Sequence, residues 1–156
     1  MDIKKLGILL LNLAVPLGIG FLSYMIIKDN LLVYDTLNLP FFAPPRWVFS
    51  YIWIILYLLM GVSTYIVVMK QQKIETASIC VYALQLFFNF VWPILFFISA
   101  YYLFSSVWLI ALIILIGIMI KNFYLVDKKA AYLQIPYLIW SIFACILNFT
   151  IFFMNM

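Results

Sequence analysis

Residues 76 to 120 read TASICVYALQLFFNFVWPILFFISAYYLFSSVWLIALIILIGIMI, 45 residues without a charged side chain. An α-helix rises about 1.5 Å per residue, and about 20 apolar residues cross the hydrocarbon of a bilayer. The stretch is too long for one crossing and long enough for two. Ser99, Tyr101, Tyr102, Ser105 and Ser106 cluster within it as an interfacial turn would, so the break is expected there. Lipid offers no water to backbone N–H and C=O groups, which leaves helices as the state for segments this apolar.

Outward from this stretch, residues 6 to 27, 47 to 69 and 130 to 156 are also uncharged, with 22, 23 and 27 residues. The expected fold is an all-α membrane protein, a five-transmembrane-helix bundle forming one domain over residues 1–156. Its helices are placed near 6–27, 45–69, 77–98, 104–124 and 131–153, with a long loop at 28–44. Lys4 and Lys5 ahead of an apolar run resemble the start of a signal peptide, but the run continues to Ile27 without a small-x-small cleavage site, and it is read as the first span. A hydrophobic content of 69%, 9% charged residues and a mean hydropathy of +1.22 agree, since so little polar side chain cannot cover a water-soluble globule. Cys80 and Cys145 fall inside apolar runs, where cysteine behaves as a small hydrophobe.

The formal charge of +4 reads as a topology signal, not as an affinity for nucleic acid. With five spans, Lys4, Lys5, Lys70, Lys73, Lys121, Lys128 and Lys129 fall on one side, and Lys28 and Arg46 on the other. The asymmetry predicts a cytoplasmic N-terminus and an outward C-terminus and loop, and the membrane is expected to be that of a bacterial cell. The loop exceeds ordinary connections in length, as lids do. Pro44-Pro45 at its end suits a helix start or mere punctuation.

Within the spans, advancing by about 100° per residue gathers the uncommon side chains on single faces. Phe49, Trp53, Tyr57, Met60 and Thr64 share one in the second span. Gln85, Asn89, Trp92 and Phe96 align in the third, Pro136, Trp140, Phe143, Ala144 and Leu147 in the fifth, and Asn12, Pro16, Ile19 and Ser23 in the first. Such stripes either pack a core or line a cavity for a flat apolar ligand. Asn89 and Gln85 need partners in hydrocarbon, either across helices or on a ligand, and Asn89 is the expected amide handle. Ala14 with Gly18 reads as a small-xxx-small packing pair, and Asn148 as a packing amide.

The chain has no histidine, and no acidic residue lies deep in a span. The usual general base, the commonest metal ligand and the carboxylate of a proton-coupled carrier are thereby missing. There is no phosphate-cradling glycine loop, metal-spaced cysteine set or nucleophile with a base, which argues against conventional hydrolase or transferase chemistry. Asp35, in the loop, reads as a solvated or capping residue.

Three strings carry more than periodicity: residues 40 to 65, PFFAPPRWVFSYIWIILYLLMGVSTY, residues 89 to 97, NFVWPILFF, and residues 136 to 148, PYLIWSIFACILN. In order and placement they resemble the TspO/MBR family of tryptophan-rich sensory and translocator proteins. The resemblance implies a five-helix bundle, in some members a homodimer, that binds porphyrins such as protoporphyrin IX or haem as ligands, with no cofactor required. Its partners would be that ligand and membrane lipid. Carried over, the pocket would use Tyr34, Pro44 and Pro45 from the loop and its end, Trp53 and Tyr57, Asn89 and Trp92, and Trp140, Phe143 and Ala144. Trp53 and Trp140 match the tryptophans tied to slow light-dependent porphyrin breakdown, which makes them the candidate catalytic residues. Family members commonly place tryptophan where this chain has Val33 and Phe42, so a less aromatic lid is expected. The sterol motif of animal members is absent around Leu147, Asn148 and Phe149, and no glycine-rich dimer face appears around Ala83 and Phe87. The expected function is a membrane receptor for porphyrins and related flat ligands, with transport or degradation as additions. The alternative is a structural or transporter subunit whose aromatic stripes only pack.

Overall fold

The computed structural model describes residues 2–71 and 76–156; residues 72–75, with Lys73 of the basic tally, lie outside the described residues. The elements are α1 (Ile3–Ile27), continued by a 3-10 turn at Lys28–Asn30, then α2 (Val33–Thr36), α3 (Arg46–Lys70) and α4 (Thr76–Pro93), which runs into a wide π-type turn at Ile94–Ile98. α5 (Tyr102–Val126), α6 (Lys128–Tyr132) and α7 (Ile135–Met154) follow. Among the described residues there is no strand, and five of the helical segments are long and apolar enough to cross a membrane, α6 and α7 counting as one. The chain is an all-α integral membrane protein.

Proline and alanine decide how the third span ends. Pro93 cannot donate to the carbonyl one turn back, and beyond it the helix widens: Ser99 N donates to Ile94 O and Tyr101 N to Leu95 O, both at 3.1 Å. Ala100 then takes φ 52°, the left-handed conformation that stops a helix. The break therefore occupies only residues 99–101. Ser105 and Ser106, read from sequence as part of the turn, are buried inside α5, where their hydroxyls bond the Tyr102 carbonyl at 2.9 and 2.8 Å. In the fifth span Asp127 caps α6 by accepting from Ala130 N at 3.0 Å, and Pro136 sits in the first turn of α7.

Around the bundle, α1 packs on α3 and α4, α4 on α5, and α5 on α7. Phe88 stacks on Trp108 at 4.1 Å, and Trp108 Nε1 donates to Phe88 O at 2.8 Å, which locks α4 to α5. Between α3 and α7 the contact is aromatic, Phe49 on Trp140 at 5.7 Å and Trp53 on Tyr137 at 6.1 Å. Met60, Leu109, Leu112 and Ile116 are fully buried at the centre, while the outside carries large apolar side chains such as Leu11, Phe21 and Ile114, as lipid solvation requires.

Glycine decides how closely α1 approaches. Pro16 has no N–H for the Asn12 carbonyl, and that carbonyl packs against Gly61, where a Cβ would lie 2.8 Å from Asn12 O and from Leu13 Cα. Gly20 does the same for the Tyr57 ring. The packing expected of Ala14 and Gly18 is corrected: Ala14 is exposed, and a Cβ on Gly18 would meet nothing within 4 Å among the described residues. Spacing alone found two small residues one turn apart, of which Ala14 is exposed and Gly18 half-buried.

The two ends of the bundle are tied differently. At one, Lys70 forms an ion pair and hydrogen bond with Asp127. At the other, Asn155 accepts from Asn38 N at 2.9 Å and donates to Asn38 O at 3.0 Å, fastening the long loop to the end of α7.

Candidate functional site

Beneath α2 a cavity of about 570 Å³ opens between α1, α3 and α4. α3 contributes Phe49, Trp53 and Tyr57 because positions 49, 53 and 57 recur at one helical turn, α4 contributes Asn89 and Trp92, and the π-type turn after it contributes Phe97. α1 contributes Gly20, Ser23 and the outward-tilted Phe21 and Tyr24. Phe21, Tyr24 and Ile54 line the cavity and are also exposed, so its wall between α1 and α3 opens onto the surface of the bundle. Tyr34 and Arg46 form the roof.

The floor is a hydrogen-bonded chain. Tyr57 Oη donates to Asn89 Oδ1 at 2.6 Å, Asn89 Nδ2 donates to Tyr137 Oη at 3.0 Å, and Tyr137 Oη donates to Gln85 Oε1 at 3.0 Å. Asn89 thus holds three helices together. An amide has four hydrogen-bond positions, so one lone pair and one hydrogen remain. A second network sits behind the cavity. Asn148 accepts from Trp92 Nε1 at 3.1 Å, and its two N–H bonds are shared among Tyr102 O, Ser105 Oγ and Ser106 Oγ at 2.7 to 2.9 Å. Asn148 is the packing amide its sequence position indicated, and it fixes the plane of the Trp92 indole.

The roof is held by polar contacts from the loop. Tyr34 Oη donates to the Pro44 carbonyl at 3.0 Å, and Arg46 Nη1 donates to Asp35 Oδ2 at 2.7 Å. Burial, reinforced by the neighbouring Asp35 charge, pushes the Tyr34 phenol up to about 12, so it remains a donor across all ordinary pH.

Five of the ten sequence-predicted residues, Tyr34, Trp53, Tyr57, Asn89 and Trp92, face this one cavity. Ala144 lines a separate void of about 10 Å³ behind it, with Tyr34, Phe49, Trp92 and Phe97 shared between the two. Phe49 is the partition. Trp140 lies edge-on behind it, Phe143 packs on Trp140 at 5.1 Å, and Phe42 covers Phe143 at 6.3 Å. The Trp140 Nε1 is buried with no hydrogen-bond partner among the described residues. Pro44 contributes its carbonyl to Tyr34, and Pro45 is the N-cap of α3; neither ring lines the cavity.

Sequence reading passed over Tyr137, Gly20 and Arg46. Tyr137, Ser141, Ala144 and Asn148 are all buried on the inward face of α7, spaced four, three and four residues apart, whereas Pro136 is exposed. In a helix that is apolar all round, these polar residues marked the inward face better than the tryptophan did.

Comparison with known proteins agrees with this architecture. The family model described as TspO/MBR family matches residues 12–154. The Tryptophan-rich protein TspO of Archaeoglobus fulgidus is 35% identical, with 99% of each chain covered. The Tryptophan-rich sensory protein of Cereibacter sphaeroides is 34% identical over 74% of this chain and 72% of its own. The Translocator protein of Ovis aries is 33% identical over 86% of this chain and 82% of its own. With the family pattern spanning the first to the last membrane helix, the chain belongs to the TspO/MBR family.

Proposed function

We propose that the chain is a membrane receptor that binds porphyrins and related flat apolar ligands in the cavity beneath the loop. The observation that carries this reading is the cavity itself. Its volume of about 570 Å³ falls in the range of about 300 to 1,000 Å³ usual for small-molecule sites, and Trp53, Tyr57 and Trp92 line it above a polar floor. Trp53 stacks on Tyr57 at 5.6 Å and tilts against Trp92 at 6.0 Å, a continuous aromatic wall on which a flat ring can lie. The unpartnered Trp140 Nε1 behind Phe49 is a donor that a ligand acceptor reaches once the Phe49 ring turns aside. Slow light-dependent loss of bound porphyrin would draw electrons first from Trp53, which lines the cavity, and only then from the screened Trp140.

The same reading puts the N-terminus in the cytoplasm of a bacterial cell, and the gathering of Lys4, Lys5, Lys70, Lys128 and Lys129 at the end of the bundle opposite the loop supports that sidedness. A cysteine introduced at Lys129 should resist an impermeant thiol reagent in intact cells and react in inverted vesicles. Protoporphyrin IX titrated into the purified protein in lipid nanodiscs, in the dark, should quench tryptophan fluorescence saturably. Retention of full quenching in Trp53→Ala/Trp92→Ala would place any binding elsewhere.

A further inference from the structure

We infer that the corner between α5 and α6 binds an anionic phospholipid, with Lys121 and Lys128 on the headgroup phosphate and the exposed face of α5 along an acyl chain. The corner lies at the end of the bundle opposite the long loop, so what the cavity binds does not bear on it. Asp127, extended at φ −155° and ψ 123°, separates the two helices and gives the corner two sides. On one side Phe123, Ala130 and Ala131 are buried. Asp127 belongs to that side: its carboxylate is only 10% exposed, pairs with Lys70 of α3 and accepts from the Ala130 N–H at 3.0 Å. On the other side Lys121, Tyr124, Lys128 and Tyr132 are all exposed.

Lys128 follows Asp127 in sequence yet does not pair with it. Its ammonium lies over the Tyr124 ring at 5.5 Å, and Tyr132 meets Tyr124 edge-on at 6.3 Å. Neither Lys128 nor Lys121 has an ion-pair partner among the described residues. An ammonium against an aromatic face keeps N–H donors for an acceptor on its open side, and interfacial tyrosine hydroxyls can donate to the same oxygens. Lys121 stands five residues before the end of its span, about 7.5 Å along the helix, within reach of the headgroup layer for a side chain that extends toward water. Toward the middle of the membrane the same face of α5 turns apolar. Ile114 and Ile118 precede Lys121 by seven and three residues, which sets all three on one face, and both isoleucines are exposed. A phosphate above and a hydrocarbon chain below match this order of groups. A soluble anion would leave the isoleucines unused, and a zwitterionic lipid would bring its own cation to the lysines.

The test titrates phosphatidylglycerol and phosphatidylcholine with identical chains into the purified protein in detergent and reads the lipid-bound species by native mass spectrometry. The parent chain should prefer phosphatidylglycerol about tenfold, the scale of one to two lysines at an anionic surface. Lys121→Gln/Lys128→Gln should remove most of that preference. Lys4→Gln/Lys5→Gln takes the same charge from another helix at the same end and should keep it. Tyr124→Leu, which deletes the ring beneath Lys128, should lower the preference a few-fold while leaving phosphatidylcholine binding unchanged. All these positions are exposed, and an unchanged melting temperature for each variant ties the loss to the lipid and not to the fold. Glycerol 3-phosphate in tenfold excess should not displace the lipid, because it brings no chain to Ile114 and Ile118. Equal binding of the two lipids by the parent would overturn the inference. So would an equal loss in the two lysine pairs, which would mean diffuse attraction to charge, and displacement by glycerol 3-phosphate would reduce the corner to a phosphate site.

Discussion

Gly20 permits the closest approach in the site, and Gly20→Ala is therefore the sharpest test of its geometry. A Cβ there would lie 2.2 Å from Tyr57 Cε2, 2.7 Å from Cδ2 and 2.9 Å from Cζ. Carbon atoms rest at about 3.5 Å, so the ring must retreat by roughly 1.3 Å. It is held on both sides, stacked on Trp53 and bonded through Oη to Asn89 at 2.6 Å. Overpacking costs about 1 to 3 kcal/mol, and an interhelical hydrogen bond in a membrane about 0.6 kcal/mol. Alanine offsets about 1 kcal/mol of this through helix propensity. The net expectation is a loss of about 1 to 2 kcal/mol and, because the displaced phenol intrudes on the cavity, weaker porphyrin binding. Gly18→Ala, two residues away with nothing within 4 Å, is the control and should keep the propensity gain. Equilibrium unfolding in nanodiscs should separate the two variants by about 2 to 3 kcal/mol. A Tyr57→Leu background removes the ring and should erase the difference. If Gly20→Ala matches Gly18→Ala in stability and affinity, the α1–α3 approach described here is incorrect.

Asn89→Leu strands the Tyr57 hydroxyl and removes a donor from Tyr137, so it should destabilise the bundle by about 1 to 3 kcal/mol as well as weaken binding; an unchanged melting temperature would contradict the floor network. Trp53→Phe should lower porphyrin affinity more than Trp140→Phe, because Phe49 screens Trp140 from the cavity; fluorescence titrations that rank them in the opposite order would relocate the ligand. The double variant should abolish light-dependent porphyrin loss if these indoles are the electron donors, since phenylalanine is far harder to oxidise, and loss at the parent rate under equal illumination would remove them from that chemistry. The Lys70 hydrogen bond and the Ala130 N–H hold the Asp127 carboxyl below its ordinary 3.8. Its stabilisation is thus complete above that value and lost as pH falls through the depressed one, so Asp127→Asn should flatten the acid limb of a melting-temperature profile.

How much of this was legible in the chain follows from which physics each feature obeys. Charge spacing marks where helices leave lipid, so five spans and the sorting of Lys70 and Asn38 to opposite ends could be read directly. The fine breaks could not. Ser105 and Ser106 look like turn residues until Asn148 and the Tyr102 carbonyl give their hydroxyls partners inside α5. Helical spacing found the inward faces of α3 and α4, where polar and aromatic residues coincide. On α7 the tryptophan and the polar residues point to neighbouring faces, and the reading followed the tryptophan. Close approach is a pairwise property, and nothing in Gly20 or Gly61 alone distinguishes them from Gly18. Arg46 was counted as a topological charge, because only the fold brings the start of α3 over a cavity that α1 and α4 complete.

The two polar networks also divide the site into a fixed half and an adaptable half. Asn89 joins α3, α4 and α7, and Asn148 joins α4, α5 and α7, each through several short hydrogen bonds in a medium that offers no replacement partner. α1 has no comparable tie among the described residues. It meets α3 through glycine-mediated van der Waals contact and α4 through one long hydrogen bond, Ser23 Oγ to Phe90 O at 3.4 Å. Packing contacts of about 0.1 to 0.2 kcal/mol per atom pair can be exchanged for contacts with a ligand or a lipid chain without stranding a polar group. Asn89, Trp92 and Tyr57 are therefore placed by bonds that a ligand leaves intact, and the volume available above them is set by how far α1 and the loop stand off. In the proposed site, polar groups of a ligand would meet the first half, and its shape would be accommodated by the second.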